Sequence, residues 1–218
     1  MRLDVFLHRQ GYFDSRSMAK EAIKRGLVKV NGEIVTKPSK DVRGDEKIEV
    51  LAEGRPRGYY KLKMLDERFN LISENDTVLD LGSSAGGFVL YASEKARIVY
   101  GIEFSREFEE RLRRIEAEKP NVRIFIEDVF RFDVSKLPEL DVILCDLTLE
   151  PRDALVALLR FLPKLKRSGK VLFVSKSDVI GDVIDLNQQL RKSRISLDLL
   201  TCEKSEDRQE YYYIFLRK

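Results

Sequence analysis

Seven apolar runs rich in β-forming residues follow residue 59, and stretches with helical periodicity separate most of them. The runs cover residues 78–81, 98–102, 122–126, 142–147, 171–174, 195–200 and 211–216, and the helical stretches cover 107–118, 153–166 and 179–192. Continuous apolar strands alternating with helices predict an α/β fold in which helices cover both faces of a mostly parallel sheet. The loop between the last two runs is too short for a crossover helix, so the last strand is expected to be antiparallel.

The chain before these runs predicts a small α+β unit. Gly11 and Gly26 each end a helical pattern, and Asp14 or Ser15 can cap the second helix. The buried face of that helix is expected to consist of Met18, Ala19, Ala22 and Ile23.

A hairpin signal and a polar stretch complete this unit. Asn31-Gly32 lies between two apolar runs and predicts a two-residue type I′ turn. Residues 53–58 contain two glycines, a proline and two arginines, which is typical of a linker. We therefore predict a first domain over residues 1–52 and a second over 59–218.

Positive charge is concentrated in the first domain and the linker. Residues 1–58 hold 13 Lys and Arg against nine Asp and Glu, whereas the rest of the chain holds 27 against 28. The candidate RNA-binding side chains are Arg2, Arg9, Arg16, Lys20, Lys24, Arg25, Lys29 and Asn31. Such a cluster can neutralise the phosphates of structured RNA. The alternative is that these are ordinary solvated helix charges.

This segment resembles the S4-type RNA-binding domain. The resemblance rests on R-L-D at 2–4, S-R-S at 15–17, an A-x-x-x-I-x-x-G pattern ending at Gly26, and V-x-V-N-G at 28–32. It implies that the first domain docks onto RNA.

Several classes of protein are disfavoured by what the chain lacks. His8 is the only histidine, so proton chemistry must use Lys, Asp, Glu or Tyr, and we expect no metal site. Cys145 and Cys202 are expected to be reduced core thiols. No run approaches the roughly 18 apolar residues of a membrane span, and no apolar leader is evident. We therefore expect a cytoplasmic protein without a membrane partner.

The run 78–81 leads into a glycine-rich turn and then a helix, D-L-G-S-S-A-G-G-F. Backbone N–H groups at such a turn can approach a ligand closely. The dinucleotide pattern G-x-G-x-x-G and the P-loop G-K-[ST] are both absent. Acidic residues close the next two strands at Glu103 and Asp128, where the alternative for each carboxylate is a helix cap.

The turn resembles the signature of S-adenosylmethionine (SAM)-dependent methyltransferases, and SAM is the implied cofactor. The implied contact residues are Asp80, Gly82, Ser83, Ser84, Ala85, Gly86, Gly87, Phe88, Glu103, Asp128, Val129 and Asp146. In this family the Glu103 position binds the ribose hydroxyls and the Asp128 position lies near the adenine amino group.

Four further polar residues lie next to predicted strand ends or at the first helix of the second domain: Lys61, Asp146, Lys176 and Glu210. Their order resembles the catalytic Lys-Asp-Lys-Glu set of the FtsJ-like ribose 2′-O-methyltransferases. Together with the first domain, the chain is similar to the TlyA-type (haemolysin A) rRNA methyltransferases. The resemblance implies that Lys176 acts as base or oxyanion stabiliser beside Lys61. Asp146 would orient Lys176, and Glu210 would hold Lys61 or the ribose.

These charged residues could instead have a purely structural role. Both lysine–acid pairs could be structural ion pairs, Lys63 is expected to be solvated, and Arg111, Arg113 and Arg114 are expected on an exposed helix face. The chain departs from TlyA relatives at Ala85 and after Asp146, where it reads L-T-L-E-P.

We therefore predict a SAM-dependent 2′-O-methyltransferase that acts on rRNA or a ribosomal subunit, with a cytidine implied by the relatives. One alternative is an RNA base methyltransferase, although strand alternation points Cys145 away from the site. The other is a non-catalytic, SAM-binding factor for ribosome assembly.

Overall fold

The computed structural model describes residues 1–13, 15–51, 55–177, 195–205 and 209–218. The first unit contains α1 (Leu3–Arg9), α2 (Arg16–Lys24), β1 (Val28–Val30), β2 (Glu33–Ile34) and β3 (Ile48–Val50). The second unit contains α3 (Arg57–Phe69), β4 (Thr77–Leu81), α4 (Gly87–Ser93), β5 (Ile98–Glu103), α5 (Glu109–Glu118), β6 (Val122–Ile126), β7 (Leu140–Cys145), α6 (Pro151–Phe161), β8 (Leu165–Ser175), β9 (Leu197–Lys204) and β10 (Tyr211–Arg217). The predicted helix at 179–192 and the alternative cap Asp14 lie outside the described residues.

The first unit folds around local signals that the sequence displays. Asn31 and Gly32 have φ values of 53° and 84°, which confirms the type I′ turn between β1 and β2. The Ser15 hydroxyl caps α2 by accepting a hydrogen bond from the Met18 backbone N–H. The prediction that Met18 is buried is wrong, because the apolar stripe of α2 runs through Ala19, Ala22 and Ile23 and leaves Met18 exposed.

A buried carboxylate joins the two helices of this unit. Asp4 is fully buried and receives hydrogen bonds from Arg2 Nε at 3.0 Å and Arg16 Nε at 2.8 Å. Burial opposes the ionisation of Asp4, but the hydrogen bonds from Arg2 and Arg16 outweigh it and lower its pKa. The R-L-D and S-R-S motifs therefore have a structural role in this ion-pair cluster.

The second unit is built on a seven-stranded sheet in the order β6-β5-β4-β7-β8-β10-β9. The pairs from β6 to β8 are parallel, and β10 runs antiparallel to both of its neighbours. This confirms the mostly parallel sheet with an antiparallel last strand. The predicted helix at 153–166 extends too far: α6 ends at Phe161, a 3-10 turn containing Pro163 follows, and β8 begins at Leu165.

Apolar side chains fill both faces of the sheet. One cluster packs beneath α6 and includes Leu79, Ile143, Cys145 and Phe173, while the opposite cluster packs against α3, α4 and α5. The prediction that both cysteines are core residues is wrong for Cys202, which is exposed because it lies on the edge strand β9. Among the helices that the structure describes, none is long and apolar enough to cross a membrane.

Arg111 on α5 connects the two units. Its Nε donates to the Ala85 carbonyl at 2.7 Å, its Nη1 donates to the Gln10 carbonyl at 3.1 Å, and its guanidinium lies 4.4 Å from the centre of the Tyr12 ring. Burial lowers the pKa of Arg111 to about 10, so the group stays charged at neutral pH. The prediction of an exposed face is therefore wrong for Arg111 and for the partly buried Arg114, because the first unit covers this part of α5. Arg114 donates to the Tyr12 hydroxyl at 2.9 Å and to the Ile48 carbonyl at 3.2 Å.

Candidate active site

The glycine-rich turn after β4 brings three backbone segments close together. A Cβ on Gly87 would lie 2.7 Å from the Tyr59 nitrogen and 2.8 Å from the Gly58 Cα, so the start of α4 can pack on the start of α3 only without a side chain here. A Cβ on Gly86 would lie 2.3 Å from Ile115 Cδ1 on α5. Because neither glycine has a side chain, the neighbouring helices can pack closely on this turn. The cofactor motif alone does not indicate this packing role.

A cavity of about 550 Å³ opens on one side of this turn. Its lining combines the predicted Glu103, Asp128 and Val129 with apolar side chains that the sequence interpretation missed: Phe104, Phe108, Phe130, Leu147 and Leu149. The position of Phe104 directly after Glu103 is the signal that could have identified it. An apolar cavity with a few placed carboxylates is typical of a small-molecule site.

The carboxylates in this cavity also order the surrounding loops. Glu103 accepts hydrogen bonds from the Ser84 and Ser105 backbone N–H groups, both at 2.7 Å and each on a different oxygen. Asp128 accepts from the Phe130 N–H at 2.9 Å. Because a carboxylate oxygen has two acceptor positions, Glu103 can still accept from the hydroxyls of a ribose.

A second cavity of about 410 Å³ lies on the other side of the turn, and all four predicted catalytic residues line it. Lys61 Nζ lies 2.6 Å from Asp146 Oδ2 and 3.2 Å from Glu210 Oε2, and the Lys61 side chain is buried. The Phe88 ring lies 5.6 Å from the Lys61 ammonium. The turn residues Gly82, Ser83, Ser84, Ala85 and Gly87 also line this cavity.

The pairing within this cluster differs from the expected one. Asp146, expected to orient Lys176, contacts Lys61 instead. Lys176 is exposed on the cavity wall after β8 and forms no ion pair with any residue that the structure describes. Lys63 is solvent-exposed and lies 3.8 Å from Glu67, as expected for a solvated helix charge.

Asp80 lies on β4 just before the turn, and its carboxyl group is buried. Its side chain is fully buried, and neither carboxylate oxygen has a hydrogen-bond partner among the described residues. Burial away from water, with Asp146 and Glu103 nearby, raises the pKa of Asp80 to about 8. Asp80 itself lines neither cavity. In the apolar cavity beside the turn, Glu103 and Asp128 offer acceptors for the hydroxyl and amino groups of SAM. The residues present therefore fit SAM.

The predicted RNA-binding residues separate into three sets. Arg9 lines the cavity that contains Lys61. Arg2 and Arg16 hold Asp4, and the Asn31 side chain accepts from the Lys47 N–H at 2.8 Å. The remaining basic residues lie on α2 and β1 or directly after α2, and they are Lys20, Lys24, Arg25 and Lys29. In the described ranges, no group of three His, Cys, Asp or Glu residues is placed to hold a metal ion.

Comparison with known proteins agrees with this architecture. Residues 1–48 match the S4 domain, and residues 55–205, more than half of the chain, match the FtsJ-like methyltransferase family. Over 90 residues the chain is 39% identical to hemolysin A of Brachyspira hyodysenteriae, covering 40% of this chain and 38% of that protein. Over 55 residues it is 46% identical to ribosomal RNA large subunit methyltransferase E of Methanobrevibacter smithii, covering 24% and 26%. The chain thus spans less than two fifths of the length of these curated relatives.

Solved structures share the fold. A candidate hemolysin from Streptococcus thermophilus superimposes with a TM-score of 0.65 at 20% identity, over 100% of this chain and 88% of that one. A candidate methyltransferase from Streptococcus mutans, solved in complex with SAH, gives 0.53 at 14% identity over 72% and 97%. FtsJ-like methyltransferases use SAM. The chain belongs to the FtsJ-like methyltransferase family and carries an S4 domain ahead of its methyltransferase domain.

Proposed function

We propose that this chain is a SAM-dependent RNA ribose 2′-O-methyltransferase whose substrate is ribosomal RNA or a ribosomal subunit. The observation that carries the proposal is the convergence of Lys61, Asp146, Lys176 and Glu210 on one cavity beside the glycine turn. A related protein is described as a ribosomal RNA methyltransferase, and the S4 domain supplies a basic surface for RNA. A cytidine target is the expectation from TlyA-type relatives.

The cavity supplies the groups that a hydroxyl nucleophile needs. Bound SAM would supply a methyl group carried on a sulfonium sulfur. The ribose oxygen would attack the methyl carbon in line, and the C–S bond would break as the O–C bond forms, so that S-adenosylhomocysteine leaves. The hydroxyl must lose its proton as the new O–C bond forms, and Lys176 is the group proposed to accept it. Lys61, held between Asp146 and Glu210, is proposed to stabilise the developing negative charge on the ribose oxygen. Fixing the hydroxyl among these groups lowers the entropic part of the barrier.

The proposed roles of the two domains follow the two family matches. We propose that residues 1–52 dock the RNA, that residues 53–58 link the domains, and that residues 59–218 carry out methyl transfer. A ribosomal substrate places the reaction in the cytoplasm.

The proposal is tested by methyl transfer from labelled SAM to ribosomal RNA and to ribosomal subunits. Lys176→Ala should lower the rate by about 10²–10⁴-fold without changing SAM affinity, because it removes a proton acceptor that does not bind SAM. Lys63→Ala is the matched control, since this lysine is solvated, and it should retain the rate. Mapping of the product should place the label on a ribose 2′-oxygen.

Label on a base would refute the ribose assignment. SAM binding without label on any RNA would favour the ribosome-assembly factor. Full activity of Lys176→Ala would show that this lysine is not the proton acceptor.

A further inference from the structure

The cavity with the Lys61 cluster is built by both domains. His8, Arg9, Gly11 and Phe13 of the S4 domain line it together with the methyltransferase residues already described. The S4 domain therefore forms one wall of the candidate active site. The volume of the cavity, about 410 Å³, lies within the range of about 300–1,000 Å³ that is usual for ligand sites.

The charges that line the cavity do not balance. Asp146 and Glu210 both contact Lys61, whereas the guanidinium groups of Arg9 and Arg57 stand at exposed positions on the lining. Neither arginine forms an ion pair within the described ranges. An anionic group of the other substrate can compensate these two charges. Arginine binds phosphate oxygens in a bidentate geometry, which makes a phosphate group the best match.

The backbone that follows Arg9 is packed against the glycine turn. The carbonyl of the next residue, Gln10, accepts a hydrogen bond from Arg111, which also binds the Ala85 carbonyl. A Cβ on Gly11 would lie 2.3 Å from the Ala85 Cβ, so the backbone after α1 packs directly on the turn. Arg9 thus belongs to a fixed wall of the cavity.

We propose that Arg9 and Arg57 form a subsite for a phosphate of the nucleotide being methylated. This deepens the proposed function and rests on it. A phosphate held between the two domains fixes the attached ribose and brings its 2′-hydroxyl to Lys61 and Lys176. The S4 domain then contributes to the chemical step and not only to docking.

Binding of a small probe tests the subsite without any turnover. The probe is a nucleoside 3′,5′-bisphosphate, titrated calorimetrically into the full chain saturated with SAH, with the unphosphorylated nucleoside as comparison. Arg9→Ala and Arg57→Ala should each weaken bisphosphate binding about tenfold, which corresponds to the loss of one charge-assisted hydrogen bond. The matched control is Arg167→Ala, an exposed arginine near the start of β8 and so at the opposite end of the sheet. Equal binding by wild type, Arg9→Ala and Arg167→Ala would overturn the subsite.

Kinetics with the RNA substrate test the role of the phosphate subsite in the chemical step. Arg9→Ala should lower the single-turnover rate at saturating RNA about tenfold, and Arg9→Lys should restore part of it. A variant that loses RNA affinity but keeps the saturated rate would show that Arg9 belongs to the docking surface instead. If wild type binds the bisphosphate through Arg9 but labels no RNA, the proposed function fails while the phosphate subsite stands. If RNA is labelled and Arg9→Ala is unaffected in both assays, the subsite alone fails.

Discussion

Arg111→Met tests whether Arg111 holds the two domains together at the glycine turn. The guanidinium is buried and donates to one carbonyl in each domain, Ala85 and Gln10, while it also stacks over the Tyr12 ring. Methionine has a similar length and is apolar, so the substitution removes the hydrogen bonds and the charge without leaving a large cavity.

The magnitude follows from these contacts. Each carbonyl left without a donor costs about 1–3 kcal/mol, and the lost contact with the ring costs about 0.5–2 kcal/mol. Part of this loss is offset because a buried guanidinium carries a desolvation penalty, which also lowers its pKa to about 10. We expect the free energy of unfolding to fall by about 2–3 kcal/mol.

Urea unfolding monitored by far-UV circular dichroism measures this change, and calorimetry measures SAM affinity in parallel. SAM binding should weaken because the Ala85 carbonyl belongs to the turn that lines the cavity. The control is Arg113→Met on the same helix, where a half-exposed arginine pairs with Glu116 and donates to the Ile124 carbonyl but does not contact the other domain, and it should cost about 1 kcal/mol. A change below about 0.5 kcal/mol for Arg111→Met would refute the reasoning, since this is the size of an ordinary surface substitution.

Three further substitutions test the site. In SAM-free protein the folded pKa of Asp80, about 8, lies above its unfolded value of 3.8. The free energy of unfolding should therefore fall as pH rises from about 4 to about 8, and Asp80→Asn should flatten this slope in denaturant titrations across that range. Gly87→Ala should cost about 1–3 kcal/mol in thermal unfolding, because its Cβ would meet the Tyr59 nitrogen at 2.7 Å; an unchanged melting temperature would contradict the packing of α4 on α3. Phe104→Ala should raise the Kd for SAM about tenfold by calorimetry while leaving stability nearly unchanged, since this ring is 74% exposed; equal affinity would exclude it from the site.

Local patterns predicted most of the sheet. The bounds of β6 match the sequence pattern, and those of β4, β5 and β10 lie within one residue of it. Continuous apolar runs identify such strands because both faces of the sheet are buried. The sequence pattern does not predict the start of β8, because residues 165–170 are mostly polar. Within this stretch Leu165 pairs with Leu140 of β7, and Lys170 pairs with Val142 of β7 and Leu216 of β10. An ion pair between Lys166 and Asp141 at 2.8 Å accompanies this pairing.

Features that depend on residues close together in the chain can be predicted from the amino-acid sequence alone. The type I′ turn at Asn31-Gly32, the Ser15 cap and the glycine turn after β4 follow from backbone preferences over a few positions. The four residues of the candidate catalytic set were recognised through the resemblance to FtsJ-like methyltransferases. For Asp146 and Lys176, the convergence of parallel strand ends on one edge of the sheet also predicts that they lie near each other.

Which of these groups contact one another depends on how distant segments of the chain pack together. Lys61 and Glu210 are 149 residues apart, and Lys61 rather than Lys176 contacts Asp146 because α3 packs through Gly87 onto the start of α4. Arg111 is buried because the S4 domain covers α5, and no periodicity within α5 reveals a neighbour that lies a hundred residues away. Periodicity fixes which face of an element is apolar, whereas the partner of a polar side chain depends on how distant elements pack.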